Sequence, residues 1–347
     1  MMFICCCWKN ISLGASIMEC ASQFVSSTLR VVLLPIGAYL VMLPFVFYWV
    51  VTASYLYSMG KPVFVKESFM NDIEQDDNSR CMIWYLVFAL GWVLSFIICL
   101  QQYMIAATVC QWYYSGQGKE MADTPFTTSV YRSFKWGIWW NCGSIAFGSF
   151  VIALVTFIRI VFEYIVYQYE KVGNKENPVY KAVKCYIRYI LWCLDKYVKM
   201  ISKNAFIQIS LRSCTFCTGA WDSFYLMIRH AGRFTSASII GWIMMILGKG
   251  TIVGASMYVT FLIVKETTPN VQQPLVPAVI VGMVAYVVGS LFLSIFSFSS
   301  TAILHCFIMN EDTGGSDITP DSLQGFLTMN EARKAKDESF KKIDDGP

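Results

Sequence analysis

Hydrophobic positions fall along this chain in long runs separated by short polar intervals. Residues 31–57, 82–114, 136–169, 236–264 and 275–309 are each dominated by Val, Ile, Leu, Phe, Met, Gly and aromatic residues, and charge within them is sparse. A hydrocarbon core about 30 Å thick is crossed by roughly 20 apolar helical residues. Every run reaches that length. The pattern predicts an all-α, polytopic transmembrane helix bundle with five clear spans, and therefore an integral, multi-pass membrane protein.

The intervals divide the chain into an amphipathic N-terminal segment (1–30), a transmembrane helical domain (31–309) and a polar, mobile tail (310–347). Residues 10–29 suit an interfacial helix leading into the first span. Pro35 and Pro44 predict local kinks in that span. Loop 58–81 is acidic, with Glu67, Asp72, Glu74, Asp76 and Asp77 against Lys61, Lys66 and Arg80.

Charge sets the topology, because short loops rich in Lys and Arg stay in the cytosol. The tail carries Arg333, Lys334, Lys336, Lys341 and Lys342 and reads as inside; loops 58–81 and 265–274 read as outside and loop 113–134 as inside. Parity then requires one more crossing between the third run and the fourth. The candidate is 185–211, which holds Arg188, Asp195, Lys196, Lys199 and Lys203. Asp195 and Lys199 stand at the i,i+4 spacing of a helical ion pair. The other reading of this segment is an amphipathic helix lying on the membrane surface.

Composition narrows the class further. Of 347 residues, 56% are hydrophobic and 14% charged, against about 25% charged in soluble domains. Mean hydropathy is +0.51. The net charge of +4 includes no concentrated basic block, so a nucleic-acid partner is not expected. The 13 cysteines lie mostly within apolar runs, where Cys behaves as a small hydrophobe, and no disulfide framework is implied. Cys5, Cys6 and Cys7 read either as palmitoylation sites or as an apolar, frayed terminus. The sequon at Asn10 falls on the cytosolic side of the scheme.

Catalytic signatures are missing: there is no Gly-rich phosphate loop, no HExxH and no GxSxG. Cys214 and Cys217 form a CxxC, yet a zinc site needs a second pair of ligands at suitable spacing. No enzyme activity and no cofactor are expected.

Several short motifs carry a specific resemblance. Gly143-Ser144-Ile145-Ala146-Phe147-Gly148, Arg159-Ile160-Val161-Phe162-Glu163-Tyr164, Lys203-Asn204-Ala205-Phe206-Ile207, Phe216-Cys217-Thr218, Leu247-Gly248-Lys249 with Val253-Gly254, and Leu304-His305-Cys306-Phe307 follow in order. Together they resemble the choline-transporter-like family over about 15–310, in its C-terminal half. One local departure is Ser299-Ser300-Thr301, where the family has Val-Asp-Thr. The resemblance implies that the apolar runs and 185–211 are the family's last six spans, which favours the sixth crossing. It also implies choline or a related amine as partner, carried by alternating access, with the plasma membrane favoured over an organelle.

Choline is a quaternary ammonium, recognised through aromatic faces and often a nearby carboxylate. Tyr85, Trp92 and Tyr103 share one side of the second span at offsets of 7 and 11 residues, and could line a pocket or pack against neighbours. Gln102 aligns with a family glutamine and needs a partner in an apolar run, as does Gln101. Glu163 is either a cation-attracting acid or the ion-pair partner of Arg159, four residues away. Trp136, Trp139 and Trp140 suit an interfacial belt at a span start. Lys249 is a cation within the fourth run, either packed and paired or part of a gate. The leading expectation is a membrane transporter, incomplete as an isolated chain. The alternative is a non-transporting membrane subunit or scaffold of the same family. Either form is expected to meet the lipid bilayer and to self-associate or bind a second membrane subunit.

Overall fold

Apolar runs of this length have to close their backbone hydrogen bonds internally, and the chain does so as helices. The computed structural model describes residues 2–63, 72–74, 76–114, 127–171, 178–267, 275–313 and 323. For residues 2–11, 61–63, 72–74, 127–129 and 178–179 only the backbone is described. The helices are α1 (Met2–Ser27), α2 (Leu34–Ser58), α3 (Asp77–Tyr114), α4 (Thr127–Trp139), α5 (Cys142–Lys171), α6 (Pro178–Arg212), α7 (Phe216–Arg229), α8 (Ala231–Thr267) and α9 (Leu275–Asp312). A 3₁₀ turn, Leu29–Leu33, leads into α2, and β1 (Lys61–Val63) pairs antiparallel with β2 (Asp72–Glu74) in the acidic loop. The tail beyond Thr313 (Leu323 apart), most of the predicted loops and the side chains of Cys5, Cys6, Cys7 and Asn10 lie outside the described residues.

Five helical segments are long and apolar enough to cross a membrane: Leu29–Ser58, Asp77–Tyr114, Cys142–Lys171, Ala231–Thr267 and Leu275–Asp312. They correspond to the five predicted runs, with one boundary corrected. The third run breaks at Trp140–Asn141, so its span starts at Cys142 and the preceding residues form the separate α4. Trp139 and Trp140, at 77% and 79% exposure, are among the most exposed large side chains described. The run Trp-Gly-Ile-Trp-Trp is apolar enough to read as span, whereas it lies before the break, at the end of α4. Asn141 makes the break: its amide N–H and that of Trp140 both donate back to the Trp136 carbonyl, at 3.1 and 3.2 Å.

The chain divides into two compact units. One comprises Met1–Pro35, Met104–Ser133 and Tyr225–Pro347. Within it α1 buries Leu13, Ile17, Cys20, Ala21 and Phe24, an i, i+4, i+7, i+8, i+11 stripe, and packs on α8 and α9. Its apolar stripe therefore packs on protein. Phe24 meets Trp112 edge-on at 5.6 Å, and Phe234 meets His305 at 4.9 Å. The hairpin of α8 and α9 closes at glycines: an added methyl at Gly282 would lie 2.7 Å from Met257, and one at Gly289 3.2 Å from Ile252. Small residues let spanning helices approach where lipid offers no hydrophobic drive between them. Arg233 with Glu311 ties the start of α8 to the end of α9, and Arg229, the last residue of α7, lies 3.5 Å from Asp312.

The other unit comprises Ile36–Tyr103 and Phe134–Phe224. Its core joins Ile145, Ser149 and Ala153 of α5 to Ala205, Phe206, Ile207 and Ile209 of α6 and Phe216 of α7. α6 stops at Ser213, whose φ of 50° is the left-handed conformation that ends helices, and whose N–H donates to the Ile209 carbonyl at 2.8 Å. Trp49 of α2 donates to the Leu86 carbonyl of α3 at 2.9 Å.

Gly148, in the glycine-bounded motif of α5, is the tightest glycine contact described in this unit. A methyl there would lie 2.5 Å from Cε2 of Phe216 and 2.9 Å from Cζ of Phe206, two rings with little room to give, whereas Gly143 has nothing within 4 Å. Gly148→Ala is expected to destabilise the protein by about 1–3 kcal/mol, and Gly143→Ala by less than about 1 kcal/mol, the ordinary scale of an unstrained site. Fluorescence-detected size exclusion after graded heating measures both; equal midpoints would remove the close approach at Gly148.

Candidate functional site

Aromatic residues on α3 and α5 interlock as a ladder. Trp84, Phe88 and Trp92 recur every four residues on α3, and Phe150, Phe157 and Tyr164 every seven on α5. Trp84 meets Tyr164 at 5.0 Å and Phe157 at 6.1 Å; Phe88 meets Phe157 at 5.3 Å and Phe150 at 5.8 Å; Trp92 meets Phe150 at 5.6 Å. All five are edge-to-face, the geometry favoured by the ring quadrupole. The ladder was readable in principle as matched four- and seven-residue aromatic spacings.

The predicted stripe of Tyr85, Trp92 and Tyr103 does not converge. Tyr85 is 71% exposed and makes no ring contact among the described residues. Trp92 belongs to the ladder, and its indole N–H reaches the Ala146 carbonyl at 3.4 Å. Tyr103 is 2% exposed, about 27 Å along the helix from Tyr85 at 1.5 Å per residue. Its hydroxyl accepts a hydrogen bond from the Asn141 side chain at 2.9 Å, and Gly137 packs against its ring. Tyr103 thus clasps the break between α4 and α5. Gln102 is half-buried and has no hydrogen bond among the described residues.

Glu163 has a partner, and it is not the expected one. Arg188 of α6 holds it with two bonds, Nε to Oε1 at 2.7 Å and NH2 to Oε2 at 2.6 Å. Arg159 instead lies 3.6 Å from Asp195, which also accepts from Lys199 at 2.8 Å, as its spacing predicts, and from Thr156 at 3.3 Å. Lys184 pairs with Glu170. These contacts form an antiparallel ladder between α5 and α6. Lys196 stands over the Trp192 ring at 5.0 Å. Exposed in water, such pairs are worth about 0–1 kcal/mol each. An unpaired charge at a span centre costs about 2.5–3.5 kcal/mol, so in lipid the ladder decides whether α6 is tolerated.

The first unit holds a cavity of about 340 Å³ between α8 and α9, with Trp242, Ile246, Lys249, Ser297, Ser300 and Thr301 in its wall. None of the five predicted site residues lines it. Lys249 is the midpoint of α8. Its ammonium lies 5.3 Å from the Tyr286 ring centroid, and it has no carboxylate partner among the described residues. A cation–π contact returns about 0.5–2 kcal/mol, short of the cost of a mid-span charge.

Among the described residues no group of three or more His, Cys, Asp or Glu side chains could hold a metal ion. What the helices define is a multi-pass α-helical membrane protein. The chain belongs to the plasma-membrane choline transporter family, whose profile matches residues 1–312. It is 28% identical over 314 residues to choline transporter-like protein 2 of Dictyostelium discoideum, covering 90% of this chain and 48% of that protein. It is 27% identical over 341 residues to choline transporter-like protein 1 of Mus musculus (96% and 50%) and over 312 residues to that of Xenopus laevis (90% and 46%). The chain spans about half the length of the curated relatives it matches.

Reversing the Glu163–Arg188 pair tests the ladder. Glu163→Arg and Arg188→Glu alone each set like charges together and are expected to cut membrane expression at least about threefold, since a charge imbalance of 1 kcal/mol already shifts a population about fivefold. The double variant is expected to recover most of the loss. Singles that express as the parent protein does would show that the pair does not matter to assembly.

Proposed function

We propose that this chain forms the later spans of a carrier that moves choline or a related amine across the plasma membrane by alternating access. The single observation that carries the reading is the family match over residues 1–312, which takes in all five helices apolar enough to cross a membrane. Both ends lie in the cytosol in this reading, and α6 is the sixth crossing. The pairing of its charges with α5 supports that placement, because paired charges can enter lipid where single ones are excluded.

Amine recognition falls to the second unit. Trp92 supplies an aromatic edge of the ladder and Gln102 an amide with no hydrogen bond among the described residues, while Glu163 meets an amine only when its pair with Arg188 opens. Tyr103 acts by setting the α4–α5 break, and Tyr85 by facing outward from α3. A carrier that alternates access needs walls on both sides of its site. The matched relatives are about twice as long, which supports a pathway completed by further spans, by self-association or by a second membrane subunit.

Radiolabelled choline uptake in a transport-deficient cell, with surface expression matched, tests this. Residues 1–347 alone are expected to give no saturable uptake over vector. A chimera in which they replace the matching half of the mouse relative is expected to give saturable uptake that falls about 5–30-fold in affinity with Trp92→Ala, the loss of one desolvated cation–π contact. A silent chimera at full surface expression would favour the non-transporting subunit.

A further inference from the structure

α4 and the turn after it carry two faces of different chemistry. The packed face is small and polar: Ser133, Gly137 and Asn141 recur every four residues and are buried. Ser133 shares a hydrogen bond with Thr108 at 3.0 Å, Gly137 packs against the Leu100 and Tyr103 side chains, and Asn141 donates to the Tyr103 hydroxyl. On the opposite side Arg132, Lys135, Trp136 and Trp139 fall at i, i+3, i+4 and i+7, and all four are exposed. The geometry of this one helix sets them side by side. Neither cation has an ion-pair partner among the described residues, and the sequence holds no acid between Asp123 and Glu163. The outward face therefore presents two positive charges without counter-charge, next to two indoles.

The position of this face decides what covers it. The break at Trp140–Asn141 leads directly into α5, which from Cys142 is long and apolar enough to cross the membrane. Trp139 precedes Cys142 by three residues, and Lys135 and Arg132 stand one and two helical turns further back. Indoles nearest the span and cations beyond them is the order of a bilayer surface, where tryptophan sits at the interface and Lys or Arg meets the charged headgroups. The membrane that α5 enters is thus the surface these side chains reach first. Neutral headgroups suit the indoles but leave both cations without a net negative charge to meet. We propose that this face of α4 binds the headgroups of anionic phospholipids, with Arg132 and Lys135 on their phosphate and carboxylate oxygens and Trp136 and Trp139 at the acyl boundary. The leaflet rests on the orientation given under the carrier reading, which puts loop 113–134 in the cytosol, the side where anionic lipids concentrate.

The purified full chain in proteoliposomes tests this, with photoreactive phosphatidylserine compared with photoreactive phosphatidylcholine at the same mole fraction and labelled peptides identified by mass spectrometry. Both leaflets hold both lipids and no choline is present, so the outcome depends neither on orientation nor on transport. Phosphatidylserine is expected to label residues 130–140 at least about fivefold more than phosphatidylcholine does, the effect of one surface cation. The double variant Arg132→Gln/Lys135→Gln should lose that preference and keep its labelling by phosphatidylcholine. Should the double variant fail to elute as a monodisperse species, the parent chain at about 1 M salt decides: charges are then screened beyond about 3 Å, and the preference should vanish. Equal labelling by the two lipids in the parent chain, no label within 130–140, a preference that survives in the double variant, or one that persists at high salt would each overturn the assignment.

Discussion

Lipid offers no hydrogen-bond partners, so every polar group that enters a span must bring its own. That constraint organises this protein. In α5 and α6 the charges that would bar a helix from the membrane are arranged against one another: Glu163 with Arg188, Asp195 with Arg159 and Lys199, Glu170 with Lys184. Each pair would be worth little on a soluble surface. In hydrocarbon the same pair would remove a cost several times larger, which is the basis for proposing α6 as a crossing helix.

Close packing then follows from small residues and rings. Gly148 lets Phe206 and Phe216 lie against the α5 backbone, and Gly282 and Gly289 do the same for Met257 and Ile252 between α8 and α9. The edge-to-face ladder of Trp84, Phe88 and Trp92 with Phe150, Phe157 and Tyr164 fixes α3 on α5. These contacts hold Tyr103 and Asn141 at the α4–α5 break.

Five spanning helices were legible in the sequence because burying twenty apolar residues in lipid leaves a signal that nothing else imitates. The family was legible too, since the motifs that carry it, such as that ending in Gly148, are contact points that tolerate little change. The rest depended on information that one strand of sequence does not hold. Helical periodicity places Tyr85 and Trp92 on a common side, yet says nothing of what that side meets: one turned outward and the other into a ladder. Glu163 has a cation four residues away in sequence, but its bidentate partner sits across a hairpin, where geometry outweighs proximity. The break at Asn141 was hidden because the tryptophans before it score as apolar. The cavity at Lys249 had only its lysine to announce it.

The central claim is that paired charges carry α6 across the membrane. Its most direct measurement is the accessibility of a single cysteine at Lys181, an exposed position near the start of α6, in a background without other cysteines. In intact cells Lys181→Cys is predicted to react with a membrane-impermeant maleimide added outside. Reaction only after the cells are permeabilised would place this end of α6 in the cytosol, leave the helix on the inner surface, and contradict the account.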